Sequence, residues 1–397
     1  VSPAYDRFRE EDGDAHLRLM RLAFGQAPAG AAPFWRRAGA DAVRVMREPG
    51  GAVAATATLL RWEHALGGRP VPAVGVSAVA VDPGRRGGGI GTAMMREALA
   101  EMRAGGAALA SLYAATAPIY LRLGFGRAAG HVHWSVPAAD CAGVRTDARA
   151  EPADPDDPSV RAVLEENHRA RALSAWSGPA LRDAFLWQRA LSPPEGPSDV
   201  FLLRRADGTV AGHAAVARRA LGARPAVQVF ADACALDAEG AAALFALVAT
   251  LRSTVDAVTW TGGADEPLAM LAPEARVRID RYEDLYLRVL DLPAALTARG
   301  WPSGLRERLT VAAEDGLFPE NGGPWRLTVE DGTGTVEPAP GAEPDVVVAA
   351  GGAGPLLTGR ASPRRLASLG LLRGTAMGVG AATRLFAGPA PWMPDFF

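Results

Sequence analysis

Val74-Gly75-Val76-Ser77-Ala78-Val79-Ala80-Val81-Asp82-Pro83-Gly84-Arg85-Arg86-Gly87-Gly88-Gly89-Ile90-Gly91-Thr92 is the stretch on which the reading of the chain turns. Residues 74–81 read as a strand that Asp82-Pro83 ends, and a glycine-rich turn follows. Met94, Met95, Ala98, Leu99 and Met102 then recur at the spacing of an amphipathic helix. That order makes an anion site. The first N–H groups of a helix lack intrahelical partners and carry partial positive charge, and glycines let a diphosphate approach the backbone. Arg85 and Arg86 add fixed charge beside it. Two other nucleotide motifs fail. A P-loop needs Lys after its last glycine, and the chain contains no lysine. A dinucleotide fingerprint needs Gly-x-Gly-x-x-Gly, whereas Gly91 follows Gly89 one position early.

Working outward, residues 1–137 read as a compact α/β unit. Residues 5–8 form a short strand, Asp12 or Asp14 caps a helix with Leu17, Met20, Leu22 and Phe24 on its apolar side, and 42–47 and 52–62 are strands broken by Pro49-Gly50-Gly51. Gly67-Gly68 marks a turn, Gly105-Gly106 stops the central helix, and 107–113 is a further strand. The Ala, Asp and Pro content of 138–158 predicts a linker. Within 138–290, strands 200–205 and 210–218 flank the hairpin signal Asp207-Gly208, followed by strand 226–235, helix 239–251 and strands 257–260 and 282–290. This order repeats that of the first unit and predicts an internal duplication. Residues 291–397 differ: strands 308–313, 325–330 and 345–349 with turns at Asp315-Gly316 and Asp331-Gly332, helices over 355–385, and an apolar tail Pro391-Trp392-Met393-Pro394-Asp395-Phe396-Phe397 predict an α+β domain.

Arg86, Gly89 and Gly91 satisfy Arg-x-x-Gly-x-Gly, which resembles the pyrophosphate-binding motif of the GNAT acetyltransferase superfamily. Downstream, Pro118-Ile119-Tyr120-Leu121-Arg122-Leu123-Gly124-Phe125-Gly126 resembles its Tyr-x-x-x-Gly-Phe segment. With Val79-Ala80-Val81-Asp82-Pro83, Leu292-Pro293-Ala294-Ala295-Leu296-Thr297-Ala298-Arg299-Gly300 and the aromatic end at Phe397, nearly the whole chain resembles the Eis family of bacterial acetyltransferases. The resemblance implies an α/β fold of tandem GNAT domains, mixed sheets flanked by helices, plus an α+β sterol-carrier-like domain. No Arg-x-x-Gly-x-Gly follows the strand ending near Ala235, so the second GNAT-like half is expected not to bind the cofactor.

The function so implied is transfer of an acetyl group from acetyl-CoA to a primary amine of a small molecule. Attack on a thioester needs a neutral amine, and a free primary amine of pKa about 10 is mostly protonated at neutral pH, so a base is useful. The resemblance implies that the terminal carboxylate, here on Phe397, is that base, and that the Tyr120 phenol protonates the departing thiolate. It places Val79, Ala80 and Val81 along the pantetheine, and Arg86, Gly87, Gly88, Gly89, Ile90, Gly91 and Thr92 around the pyrophosphate. Ala115 and Thr116 would lie against the cofactor, and Phe24, Gln26, Trp35, Ser77 and Phe396 would line the acceptor site. Gln26 and Phe396 stand where aminoglycoside-acetylating relatives favour carboxylates, which points to a less charged or more hydrophobic amine. A homohexamer is implied by the family alone.

Composition narrows the partners. All 42 Lys+Arg residues are arginine and the net charge is -2, so neither nucleic acid nor an acidic membrane is an expected partner. The apolar run 240–251 is much shorter than the roughly 20 residues of a spanning helix. Acidic residues near the N-terminus, with no apolar signal core, and the separated Cys141 and Cys234 fit a cytoplasmic protein. His131 and His133 share a strand face but show no third ligand, Asp154, Asp156 and Asp157 read as solvated, and Trp176, Trp187 and Trp260 read as core, so no metal is expected. Two other readings stay open: acetylation of protein lysines, and a lipid-binding module on an inactive transferase scaffold.

Overall fold

The computed structural model describes residues 3–25, 34–192, 196–219 and 227–397. One sheet runs edge to edge as Ala4–Arg7, Val43–Arg47, Val53–Leu66, Arg69–Val81, Leu109–Tyr113, Arg278–Val289, Gly126–Pro137, Ala257–Gly262, Val227–Ala235, Val210–Arg219, Asp199–Arg204 and Arg149–Ala153. The same plan occurs twice along it. Helix Ile90–Ala104 joins the parallel pair Arg69–Val81 and Leu109–Tyr113, and helix Ala238–Leu251 joins the parallel pair Val227–Ala235 and Ala257–Gly262. A parallel pair requires such a crossover, because a tight turn reverses the chain.

The two halves exchange their closing strands. Gly126–Pro137, the last strand of the first half, pairs with Ala257–Gly262, while Arg278–Val289, the last of the second, pairs with Leu109–Tyr113. The exchanged strands then pair with each other at the centre of the sheet. Separating the halves would expose rows of N–H and C=O groups on both, so the exchange fixes their relation.

Three sequence expectations require correction. Residues 138–158 are not a linker: Ala138, Asp140 and Cys141 are buried in a short 3-10 helix, and Arg149–Ala153 is the edge strand against Asp199–Arg204. Pro152 is tolerated there because an edge strand has one row of N–H groups to spare. Asp12 precedes helix Gly13–Phe24 without capping it, since its carboxylate accepts from the Arg47 guanidinium at 2.8 and 2.9 Å. That two-pronged, charge-assisted pair and the Arg9 N–H, which donates to Asp12 Oδ2 at 2.8 Å, occupy the carboxylate. Asp315-Gly316 turns the chain without joining a hairpin: the Asp315 carboxylate accepts from the N–H groups of Leu317 and Phe318 at 3.1 and 3.0 Å and from buried Arg288 at 2.6 Å. Helices Pro158–Ala175 and Ala184–Leu191 went unread although Asp157 with Pro158, and Asp183, are start signals; their carboxylates accept from the N–H groups of Ser159 and Leu186.

The last domain has its own sheet, ordered Thr333–Pro338, Trp325–Glu330, Arg306–Glu314, Val346–Ala349, Leu372–Gly374, with helices Ala350–Thr358, Pro363–Ser368 and Ala376–Leu385. Asp331 and Gly332, at φ 46° and 79°, make the tight turn between its first two antiparallel neighbours. This domain is not a separate bead. Leu309, Val329, Leu356 and Leu385 belong to one apolar cluster with Trp62, Leu109, Leu287 and Met393, and the Thr358 hydroxyl donates to the Ala128 carbonyl at 2.6 Å.

Arg288 and Asp315 fasten the domain to the exchanged strand with side chains only 1% and 2% exposed. Replacing Asp315 with Ala leaves a buried guanidinium unpaired and is expected to cost about 3–5 kcal/mol in chemical denaturation. The double variant Arg288→Met, Asp315→Leu is expected to recover most of that loss; equal losses in single and double variants would show that the pair is not what Arg288 needs.

Candidate active site

Strands Arg69–Val81 and Leu109–Tyr113 are paired only from Ala73–Leu109 to Gly75–Ser111. Beyond that point they part: Ser77 pairs with Thr58 on one side, while Leu112 and Tyr113 pair with Tyr286 and Leu285 on the other. Ala78 stands at the parting with φ 52°, and the register against the neighbouring strand slips between Thr56 and Thr58. Such a bulge interrupts the ladder and re-aims the backbone after it. A left-handed residue carrying a Cβ is costly and characteristic of functional sites. The opening is a cavity of about 420 Å³ with Val76 to Val79 on one wall and Tyr113, Ala114, Ala115 and Tyr120 on the other. Met20, Phe24 and Phe34 cover it, and Arg189, Arg281, Glu283, Phe396 and Phe397 close its end.

The glycine turn continues the Val79 wall. Gly89, at φ 82°, precedes helix Ile90–Ala104, and no side chain caps it. Glycine takes this conformation without steric cost, and a Ser or Asp in its place would occupy the N–H groups that stay open. Residues 83–89 are exposed. Arg85 pairs with Glu48 at 2.9 Å, whereas Arg86 reaches the Val81 carbonyl at 3.4 Å and has no carboxylate partner among the described residues. The helix start packs closely: a Cβ on Gly91 would lie 3.3 Å from Val81 Cγ2 and 3.6 Å from Ile119 Cδ1, beside Tyr120.

Tyr120 sits in helix Ala117–Arg122, edge-on to Phe125 at 5.7 Å. Burial pushes its phenol up to about 12, so it carries its proton at neutral pH.

The tail threads between the halves. Trp392 N–H donates to the Ser177 carbonyl at 2.9 Å, and Met393 N–H to the Gly130 carbonyl at 3.2 Å. His131 Nδ1 donates to the Met393 carbonyl at 2.8 Å, Tyr113 Oη to the Asp395 carbonyl at 2.9 Å, and Arg189 Nε to the Phe396 carbonyl at 3.0 Å. Buried Asp395 pairs with Arg182 at 2.8 Å, and Arg182 also holds Asp232 at 2.5 Å. Burial pushes the Asp395 carboxyl up, against the pull of Arg182. These contacts set Phe397, only 7% exposed, edge-on to Trp62 at 4.6 Å, while Phe396, 43% exposed, stacks on Tyr113 at 4.5 Å. Gly75 provides the space, since a Cβ there would lie 2.0 Å from Trp62 Cη2 and 2.9 Å from Phe397 Cε2. Behind Trp62, His64 Nδ1 donates to the Gly178 carbonyl at 2.6 Å, leaving Nε2 to accept from Ser111 at 2.8 Å.

Of the residues singled out from sequence, Phe24, Ser77, Val79, Ala115, Tyr120, Phe396 and Phe397 line one cavity. Ala80, Val81, Arg86, Gly87, Gly88, Gly89, Ile90, Gly91, Thr92 and Thr116 lie outside its lining, in the strand end, the turn and the entry to the tyrosine helix. Trp35 is a correction: it packs on the Phe8 ring at 5.2 Å within a cluster containing Leu19 and Val43, so it is core and not acceptor lining. Gln26 lies outside the described residues. Tyr113, Arg189, Arg281 and Glu283 were missed, and none carries a local signal, because the last three arrive from the second half. Glu283 also gives His131 and His133 a third neighbour, with ligand atoms within 4.8 Å, but Arg281 donates to it at 2.7 Å.

Residues 4–128 and 178–289 each match an acetyltransferase (GNAT) domain family, and residues 292–394 match a sterol carrier protein domain family. A Streptomyces griseus protein described as an uncharacterized N-acetyltransferase is 31% identical, with 91% of each chain covered. The N-acetyltransferase Eis of Mycobacterium bovis is 28% identical over 76% of this chain and 74% of its own. A solved GCN5-related N-acetyltransferase from Anabaena variabilis shares the fold across all of both chains, with a TM-score of 0.92 at 24% identity.

His131 and His64 link the tail and the second half to this site, and burial lowers both from 6.5 to about 4. The unfolded chain therefore takes up these protons first, and their contribution, complete above about pH 6.5, is lost as pH falls toward 4. The thermal midpoint is expected to fall through that window, and less steeply in His131→Asn, whose amide can still donate to the Met393 carbonyl. A midpoint flat from pH 6.5 to 4 would contradict the buried, neutral assignment.

Proposed function

The chain belongs to the Eis-like family of GNAT N-acetyltransferases, and from that premise we propose that it moves the acetyl group of acetyl-CoA to the primary amine of a small molecule by direct attack. The observation that carries this reading is the parting of two parallel strands beyond Gly75, with an uncapped helix start following the Val79 wall and both Tyr120 and Phe397 in the lining of the cavity that the parting opens. The donor's pyrophosphate lies on the open N–H groups of residues 87–92 with Arg86 beside it, where helix polarity and fixed charge both favour an anion. Its pantetheine runs along Val79, Ala80 and Val81, opposite Ala115 and Thr116.

The amine nitrogen attacks the thioester carbonyl carbon, and backbone N–H groups of the bulged strand meet the oxyanion that forms. The Phe397 carboxylate, at the end of a tail whose last ring packs edge-on to Trp62, accepts the proton the nitrogen must lose. As the C–S bond breaks, Tyr120 gives its proton to the thiolate. The products are an N-acetyl amine and CoA thiol. Cys141 and Cys234 support direct attack over an acetyl-cysteine route, because both are buried, with thiols pushed up to about 11 and about 12. The second half has no counterpart of the Arg86 turn and acts by supplying strands and side chains to the first. By the same family likeness the protein is read as a homohexamer, and by its charge and cysteine usage as cytoplasmic without nucleic-acid or membrane partners; no helix among the described residues is long and apolar enough to cross a membrane.

Thiol release from acetyl-CoA, followed with DTNB over an amine panel, tests the reading. Tyr120→Phe is expected to lower kcat about 100-fold, the lower end of a general-acid contribution. Arg86→Gln is expected to act on the KM for acetyl-CoA instead, raising it roughly tenfold as one charge-assisted contact is lost. Removing Phe397 should depress kcat with little change in that KM. Wild-type rates in Tyr120→Phe would remove the phenol from the mechanism.

A further inference from the structure

The ionised side chains that line the cavity are unevenly matched. Arg281 and Glu283 satisfy each other at 2.7 Å, and Glu283 also stands 3.7 Å from His133 Nε2. Arg189 has no such partner. Its Nε donates to the Phe396 carbonyl at 3.0 Å and its guanidinium lies 6.0 Å from the Phe185 ring, but it pairs with no carboxylate among the described residues. Asp395, whose charge it feels, is already bound to Arg182, and Arg37 adds further positive charge. A half-buried guanidinium that gives one of its five N–H groups to a neutral carbonyl keeps the others available to a ligand, and a carboxylate is the ligand its geometry fits best. The walls beside it are Phe24, Phe34 and Phe396.

We propose that the acceptor amine carries a carboxylate that seats on Arg189, with an apolar or aromatic body between that group and the reacting nitrogen. The inference rests on the acetyl-transfer reading above and deepens it. Arg281 and Glu283 offset each other while Arg189 has no carboxylate partner among the described residues, so at that end of the cavity a carboxylate is favoured over a second ammonium.

Three para-substituted probes of nearly one shape isolate the charge: 4-(aminomethyl)benzoate, benzylamine and 1,4-bis(aminomethyl)benzene, assayed by thiol release with the full chain. The expected order of kcat/KM is benzoate, then benzylamine, then the diamine, with at least tenfold between first and second. Arg189→Gln is expected to lower kcat/KM for the benzoate about tenfold more than for benzylamine, and Arg189→Lys to restore part of the difference. Should Arg189→Gln fail to fold, the wild-type order and the Lys variant still decide. Turnover of all three amines at similar rates, or preference for the diamine, overturns the inference and leaves acetyl transfer standing. No thiol release with any amine removes the acetyl-transfer reading itself, and the inference with it.

Discussion

Everything proposed for this protein depends on two parallel strands that stop pairing. Up to Gly75 and Ser111 the ladder is ordinary; beyond it each strand keeps its outer partner and loses its inner one. Backbone groups left unpaired in this way must find other partners, and on the proposed reading an acetyl donor threaded between the strands supplies them. The left-handed backbone at Ala78 belongs to the same constraint, because the strand must turn out of its ladder before the glycine turn can present a helix start.

The rest of the molecule serves to close that opening. The exchange of closing strands brings Arg281 and Glu283 from the second half to the cavity of the first, and the last domain sends its tail back across both. Arg182 holds the tail by pairing with Asp395 and Asp232 together, so its anchor is shared between two domains. Gly75, at the last rung of the ladder, leaves the space that Trp62 and Phe397 fill. Apolar residues of the last domain, Leu309, Val329, Leu356 and Leu385 among them, are part of the core shared with the first half.

Much of this was legible in the sequence. Strand, glycine turn and helix were read from residues 74–102, and Asp331-Gly332 announced its turn, because these are local signals in which backbone demand and residue type coincide. The duplication was visible as a repeated order of elements. The edge strand Arg149–Ala153 was hidden by the proline that only an edge permits, and Trp35 was read as acceptor lining when it packs on Phe8. Strand exchange leaves no local trace, since no residue of Arg278–Val289 records which strands it pairs with. Arg189, Arg281 and Glu283 were illegible for that reason: their meaning comes from long-range pairing that brings separate segments to one cavity.

Direct transfer within one ternary complex is the central claim, and initial-velocity kinetics tests it most directly. With acetyl-CoA and an amine varied together, the account expects intersecting double-reciprocal lines, because both substrates must occupy the opening before CoA leaves. Parallel lines, with a stable acetylated protein seen by intact mass when the amine is omitted, would contradict it.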